Sequence, residues 1–234
     1  MSDTVIKPAS TVVLFEKDRP WPTKTLLLKR SPQAKFLPGA HVFPGGQVDN
    51  DDYNQRSIAD NMPLIARLSA YFPVAPRDII GHAAAAVRET GEEAGLLIKP
   101  DELEALSWWV TPEGETRRFD TWFFLAPISN DALRAPIRES IEAEKPLFIA
   151  PSEALGLYEQ GLIFLPPPTR SILERMAKTA SKQEFLSFID QPLKPIHPFF
   201  VEKDGQKLLV LPGHEEHPEQ ERPSFLLTSS YKFP

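Results

Sequence analysis

Three glutamates in the segment Arg88-Glu89-Thr90-Gly91-Glu92-Glu93-Ala94-Gly95 constrain the fold more than any other feature of the chain. Glu89, Glu92 and Glu93 are related as i, i+3 and i+4, and on a helix these intervals share one face. Like charges stacked this way destabilise a helix by about 0.2–0.5 kcal/mol per pair. The opposite face carries Ala83, Ala86, Val87, Thr90 and Ala94, small enough to pack closely on a sheet. Gly95 stands where a C-terminal glycine cap is expected, with Leu96 and Leu97 as the apolar residues that follow. The pattern predicts a helix over 81–94 with one face on a sheet and the other acidic. Gly91 inside it is unfavourable by about 1 kcal/mol relative to Ala, and a close backbone approach is the expected reason. An acidic solvent-facing stripe would account for three glutamates taken alone. A hard divalent cation, which prefers oxygen ligands, would remove their repulsion.

Around this helix the chain reads as alternating strands and helices. Residues 11–16 and 25–29 are short Val- and Leu-rich runs with strand character. Residues 31–42 hold two prolines and a glycine and predict an irregular loop. It leads into the tight turn Phe43-Pro44-Gly45-Gly46. Residues 62–71 have helical apolar spacing, and Pro73 and Pro76 are expected to end that helix. Strands are predicted over 106–111, 119–126 and 144–149, and helices over 151–159 and 170–178. The stretch 165–169 reads as a stiff proline connector between them. A hairpin is expected from 199–201 to 207–211 around Asp204-Gly205. No internal repeat is visible.

Bulk properties bound the functional classes. The 234 residues are enough for one sizeable core. The net charge of −6 gives no global attraction to nucleic acid or to an anionic membrane. No apolar run approaches the length of a membrane span. The first residues show no secretory leader, and with no cysteine anywhere the expectation is a cytoplasmic protein without disulfides. An acidic chain that handles phosphate needs a local device, either a basic cluster or a bound divalent ion.

The Gly-Gly turn, an acid six residues after Gly46, and the glutamate helix together resemble the Nudix box, a glycine, five residues, an acid, seven residues, then Arg-Glu-x-x-Glu-Glu-x-Gly. Gly46, Asp52, Arg88, Glu89, Glu92, Glu93 and Gly95 stand at the matching positions. Three features depart from the pattern. The first acid is Asp, Thr90 replaces an aliphatic residue, and 88 − 52 − 1 = 35 residues separate Asp52 from Arg88 where the pattern has seven. The surplus contains the predicted 62–71 helix and looks like an insertion, which leaves Asp49, Asp51 and Asp52 all open as the partner of Arg88. Upstream, Arg30-Ser31, Lys35, Gly39 and Phe43-Pro44-Gly45-Gly46 are similar in spacing to the motif that precedes the box in CoA diphosphatases, with Lys35 in place of an arginine. Thr111-Pro112 and Arg117-Arg118-Phe119-Asp120-Thr121 are also similar to that subgroup.

The resemblance implies an α/β fold, an α-β-α sandwich around a mixed sheet. A core over about 10–170 would carry a helical insertion over about 53–80 and a C-terminal extension over about 190–234. It implies a hydrolase that cuts the diphosphate link of a nucleoside diphosphate derivative, CoA or acyl-CoA first. ADP-ribose or a dinucleotide, or a non-catalytic nucleotide sensor, are the alternatives. Mg²⁺ or Mn²⁺ would be held by Glu89, Glu92 and Glu93 with the Gly45 carbonyl. Arg88 would orient a glutamate, and Glu93, Glu92 and Arg88 form the expected catalytic group. Glu139, Glu142 and Glu144 compete with Glu93 as general base. Arg30, Lys35, Gly46, Arg117, Arg118 and Phe119 are the expected substrate contacts, and at most one of Trp108 and Trp109 should face a ligand. The expected partner is a small nucleotide diphosphate rather than nucleic acid or membrane, and the C-terminal extension is a candidate for association into a homodimer. His214-Glu215-Glu216-His217 has its histidines three apart rather than four and reads as a solvated loop, not a zinc motif.

Overall fold

Period-two burial along the strands sets the architecture. In β1 (Ile6–Glu16), Val12 and Leu14 point into one core while Val13 and Phe15 point into another. The same alternation holds in β2 (Thr25–Arg30), where Leu26 and Leu28 oppose Leu27. It recurs in β6 (Arg118–Ile128), where Trp122, Phe124 and Ala126 oppose Phe123 and Leu125. A sheet buried on both faces needs a layer of structure on each. The computed structural model describes residues 5–129, 143–203 and 205–232.

The main sheet runs β3 (His41–Val42), β2, β1, β6, β5 (Glu104–Val110), with β4 (Gly45–Gln47) also paired to β1 and β7 (Ala143–Ile149) to β2. β1 and β6 are parallel from Ile6↔Arg118 to Glu16↔Ile128, and every other pairing is antiparallel. The sheet is therefore mixed, as expected. One face is covered by α1 (Arg56–Ala59), α2 (Met62–Ser69) and the long α3 (Pro76–Ala94). The other carries α4 (Pro151–Glu159), α5 (Pro167–Lys178), α6 (Lys182–Ser187) and a small antiparallel sheet. That sheet runs β8 (Phe199–Lys203), β9 (Gln206–Val210), β10 (Ser230–Lys232). No helix of the described residues is long and apolar enough to cross a membrane.

Prolines account for the main boundary corrections. Pro76 does not end the preceding helix but opens α3, five residues before the expected start at Gly81. Pro167 likewise opens α5 inside the segment read as a connector. At the first helical position proline loses no hydrogen bond and its φ is already helical. β1 reaches back to Ile6 through Pro8, whose carbonyl still accepts from Val48 N at 2.9 Å. The short strands β3, β4 and β10 and the helix α6 carry too little periodicity to be read. His217 is buried rather than solvated, with Nε2 2.7 Å from the His197 carbonyl, so its loop is pinned to the chain.

The segment between Asp52 and Pro76 is integral to the core. Ile58, Leu64, Leu68 and Phe72 are buried with Ile79 and Ala83 of α3. Phe72 and His82 both stack on Trp122, at 3.9 and 3.8 Å between ring centroids. Ser10 Oγ donates to the His82 carbonyl at 2.8 Å and lies 3.0 Å from Nδ1. Burial pulls the His82 pKa down to about 3. Phe72→Ala should cost about 3–5 kcal/mol in urea unfolding. His82 takes up a proton in the unfolded chain below pH 6.5 but in the folded one only near 3. Stability carried by its neutral form should therefore fall as pH drops through that window, by up to about 1.4 kcal/mol per unit. The slope should be shallower in His82→Gln.

Candidate active site

Arg88 organises the acidic end of α3. A guanidinium has five N–H donors, and five contacts use them. Nε donates to Asp52 Oδ1 at 3.1 Å, and Nη2 to Asp52 Oδ2 at 2.8 Å and to the Gln47 carbonyl at 2.9 Å. Nη1 donates to Glu89 Oε1 at 2.9 Å and to Glu92 Oε2 at 3.0 Å. Asp52 is therefore the bidentate partner across the 35-residue gap, with Asp49 at 3.7 Å from Nη2. The Asp52 side chain is only 2% exposed, and its Oδ2 also accepts from the Asp49 N–H at 2.8 Å. The hydrogen bond to Asp52 is the main reason that Arg88 stays charged far above its ordinary range.

Two glycines let the helix meet the sheet edge. A Cβ on Gly46 would lie 2.3 Å from the Glu89 carboxylate. One on Gly45 would lie 2.2 Å from the Ser10 carbonyl. Without those side chains, β4 fits against β1 and the Gly45 N–H donates to Glu93 Oε2 at 2.9 Å. Gly91 has no such role: a Cβ there would meet only the Leu96 carbonyl, at 3.9 Å, and nothing in the structure explains this glycine. Thr90, buried in the aliphatic position of the pattern, satisfies its hydroxyl on the Ala86 carbonyl at 2.8 Å. The helix ends at Gly95 with φ 67°, and Leu96 N returns to the Thr90 carbonyl.

These groups border a cavity of about 620 Å³. Its charged lining is lopsided: Asp49, Glu89, Glu92, Glu93 and Glu115 against Arg30 and Arg88. Burial raises the Glu89 carboxyl above its ordinary value, although Arg88 pulls the other way. For a hard divalent ion the donors are of the right kind, all oxygens, and Glu89 lies in space that only a glycine leaves open. Among the described residues no three such groups converge on one point in this conformation. Arg88 holds Glu89 and Glu92, and the Gly45 N–H holds Glu93.

No protein-family model matches the chain. The acyl-coenzyme A diphosphatase NUDT19 of Xenopus laevis is 24% identical, over 84% of this chain and 72% of that protein. The human protein of that name is 27% identical, over 70% and 63%. The putative nudix hydrolase 7 of Caenorhabditis elegans is 27% identical, over 80% and 66%. The chain thus spans between 63% and 72% of the length of these relatives. A crystal structure of a NUDIX hydrolase from Alicyclobacillus acidocaldarius superposes with a TM-score of 0.62 at 22% identity, over 83% of this chain and all of that one. The chain has the Nudix hydrolase fold and is similar in sequence to these Nudix proteins.

Within this Nudix fold, Arg30, Gly45, Gly46, Arg88, Glu89, Glu92, Glu93 and Phe119 share the cavity lining. Arg30 Nε donates to the Phe36 carbonyl at 3.1 Å, which aims the head of the strand β2 arginine. Lys35 and Arg117 are exposed and do not line the cavity. Arg118 is outside it too, with Nε on the Thr111 carbonyl. Of the two tryptophans Trp109 lines the cavity, while Trp108 packs near Phe72 and Trp122. Glu139 and Glu142 lie outside the described residues, and Glu144 falls on β7.

Sequence reasoning missed Phe36, whose ring meets Phe119 edge-on at 5.2 Å, and Glu115, Phe200 and Leu209. Phe36 and Glu115 lie in loops without periodicity, and the other two come from the C-terminal sheet. No local signal marks any of them. Asp52→Asn removes the charge from a buried, doubly hydrogen-bonded partner. It should cost about 1.5–3 kcal/mol in chemical denaturation. Glu89→Gln keeps an acceptor for Arg88 without a buried carboxylate, so its melting temperature in chelator should equal or exceed that of the native protein.

Proposed function

We propose that the chain is a metal-dependent diphosphatase that cleaves the P–O–P link of a nucleoside diphosphate derivative, with CoA or an acyl-CoA as the preferred substrate. The observation that carries this reading is the charge of the cavity. Five carboxylates face two arginines, and the donors of Arg88 are already taken by protein. Such a wall repels a diphosphate until cations are added. The names of the curated relatives favour acyl-CoA over other diphosphates.

Glu89, Glu92 and Glu93, with the Gly45 carbonyl, would hold Mg²⁺ or Mn²⁺. Bound there, the ion would neutralise the diphosphate, polarise a phosphoryl oxygen and make a coordinated water more acidic. Glu93 is the best base among the described residues. It borders the cavity, and the Gly45 N–H donates to its Oε2 at 2.9 Å, which helps fix the carboxylate. Arg88 is a positioning residue. It orients Glu89 and Glu92 and limits their mutual repulsion. Among the described residues, Arg30 is the cavity-lining cation besides Arg88 and would meet a phosphate.

The decisive assay is hydrolysis of CoA, acetyl-CoA, ADP-ribose and NADH with Mg²⁺ or Mn²⁺ and a chelator control. CoA should give 3′,5′-ADP and 4′-phosphopantetheine, and chelator should abolish turnover. Turnover of ADP-ribose or NADH alone would replace the CoA reading with the dinucleotide one. Binding without turnover on every substrate would leave a sensor. Glu93→Gln should lower kcat by at least about 100-fold with substrate affinity retained. Gly46→Ala should lower kcat by at least about tenfold, because its Cβ takes the place of the Glu89 carboxylate.

A further inference from the structure

The C-terminal sheet lies across the main sheet from Gln47 and the Arg88 cluster. One cross-strand row shows this: Gln47 pairs with Ala9, Ala9 with Thr121, Thr121 with Trp109, and Trp109 with Ile196. Gln47 is the residue whose carbonyl Arg88 holds. At about 4.8 Å per strand, four steps place Ile196 roughly 19 Å from that end.

Beyond Ile196 the chain enters β8, and Pro198 and Phe200 line the cavity together with Leu209 of β9. Phe200 pairs with Leu209, and Leu209 with Tyr231 of β10, so the three form one row on one face of the small sheet. Tyr231 anchors the row, with its hydroxyl 2.6 Å from Ser171 Oγ and its ring beneath the Arg170 guanidinium. Ser171 and Arg170 belong to α5, whose first residues Pro167, Pro168 and Thr169 line the cavity as well. Arg175 of α5 further binds the Phe225 and Ser224 carbonyls. At the edge of the main sheet, Val110 N donates to the Ile196 carbonyl at 2.9 Å and Ile196 N to the Trp108 carbonyl at 2.7 Å. The wall is therefore fixed at both ends, and its cavity-lining side chains Pro198, Phe200 and Leu209 are apolar, with Lys207 Nζ 3.7 Å from the Phe200 ring centroid.

We infer that Phe200 and Leu209 are specificity-determining residues, the distal apolar subsite for an extended arm of the substrate that ends in an acyl or alkyl chain. This rests on the diphosphatase reading above for what occupies the acidic end. With its diphosphate near Glu89, a substrate would need a long arm with an apolar tip to gain from the wall. Each methylene buried there raises affinity by about two- to fourfold. A short polar diphosphate gains nothing.

The test measures kcat/KM for CoA, butanoyl-CoA, hexanoyl-CoA and ADP-ribose in the full chain, in Phe200→Ala and in the milder Phe200→Leu. Calorimetric titration of the same ligands into Glu93→Gln and Glu93→Gln/Phe200→Ala supplies affinities that do not depend on turnover. The expected result is a rise in both quantities with chain length. Phe200→Ala should flatten that rise by at least fivefold at hexanoyl, Phe200→Leu should flatten it less, and ADP-ribose should change by less than twofold. Thermal melting of each variant identifies a loss that is only unfolding, which would affect ADP-ribose equally. A chain-length series that is flat in the unmodified protein, or unaltered by Phe200→Ala, would overturn the subsite while leaving the diphosphatase intact. Absence of turnover on every diphosphate would overturn the diphosphatase, and the affinity series would still decide the subsite.

Discussion

The saturated guanidinium of Arg88 is the interaction on which the rest of the site depends. A fork of five donors meets Asp52, the Gln47 carbonyl, Glu89 and Glu92 at once. It joins the start of the insertion, the strand β4 and the helix α3, three pieces of backbone far apart in sequence. Lysine could not replace it, because a single ammonium cannot satisfy a bidentate carboxylate and three further acceptors in a plane. One positive charge cannot balance that many acids. The surplus of negative charge leaves this end of the cavity acidic.

The acidic helix and the cavity floor belong to different faces of the sheet. Ala83 and Ala86 of α3 pack in the core with Val12 and Leu14. The cavity is floored instead by Ala9, Thr11, Thr121 and Phe123, which alternate with that set. The two are brought together only at β4, where Gly45 and Gly46 have no side chains to fill the edge. The pair of glycines acts as a notch through which carboxylates from one layer reach the cavity that lies on the other. A turn and a helix that are remote in sequence form one site for this reason.

Much of this was legible in the chain itself, because the governing physics is local. The helical spacing of the glutamates, the cap at Gly95 and the alternating strands all depend on neighbours within a few residues. What could not be read depends on contacts across the fold. Nothing near Asp52 distinguishes it from Asp49 or Asp51 until the chain has folded back through α2 and α3. Lys35 and Arg117 fit a spacing, but their side chains are exposed outside the cavity. Phe200 and Leu209 were seen as a hairpin, with no sign of which surface it would cover. Pro76 and Pro167 were read as breaks because proline stops a helix from inside and starts one from its first position with equal ease.

The insertion between Asp52 and Pro76 leaves a mark on the residues that do not belong to it. Its two ends are clamped, one by Arg88 and the other by the rigid first turn of α3, so its length costs little closure entropy, about 0.6 kcal/mol for each doubling. Its apolar side chains nevertheless cover Ile79 and Ala83, and Phe72 shares the surface of Trp122 with His82. A shortened descendant could keep every acidic residue of the site and still fail, because an oily stripe along the outside of α3 would face water. Loss of the segment would have to be accompanied by polar replacements on that helix, so the length of the loop and the composition of the helix it precedes can change only together.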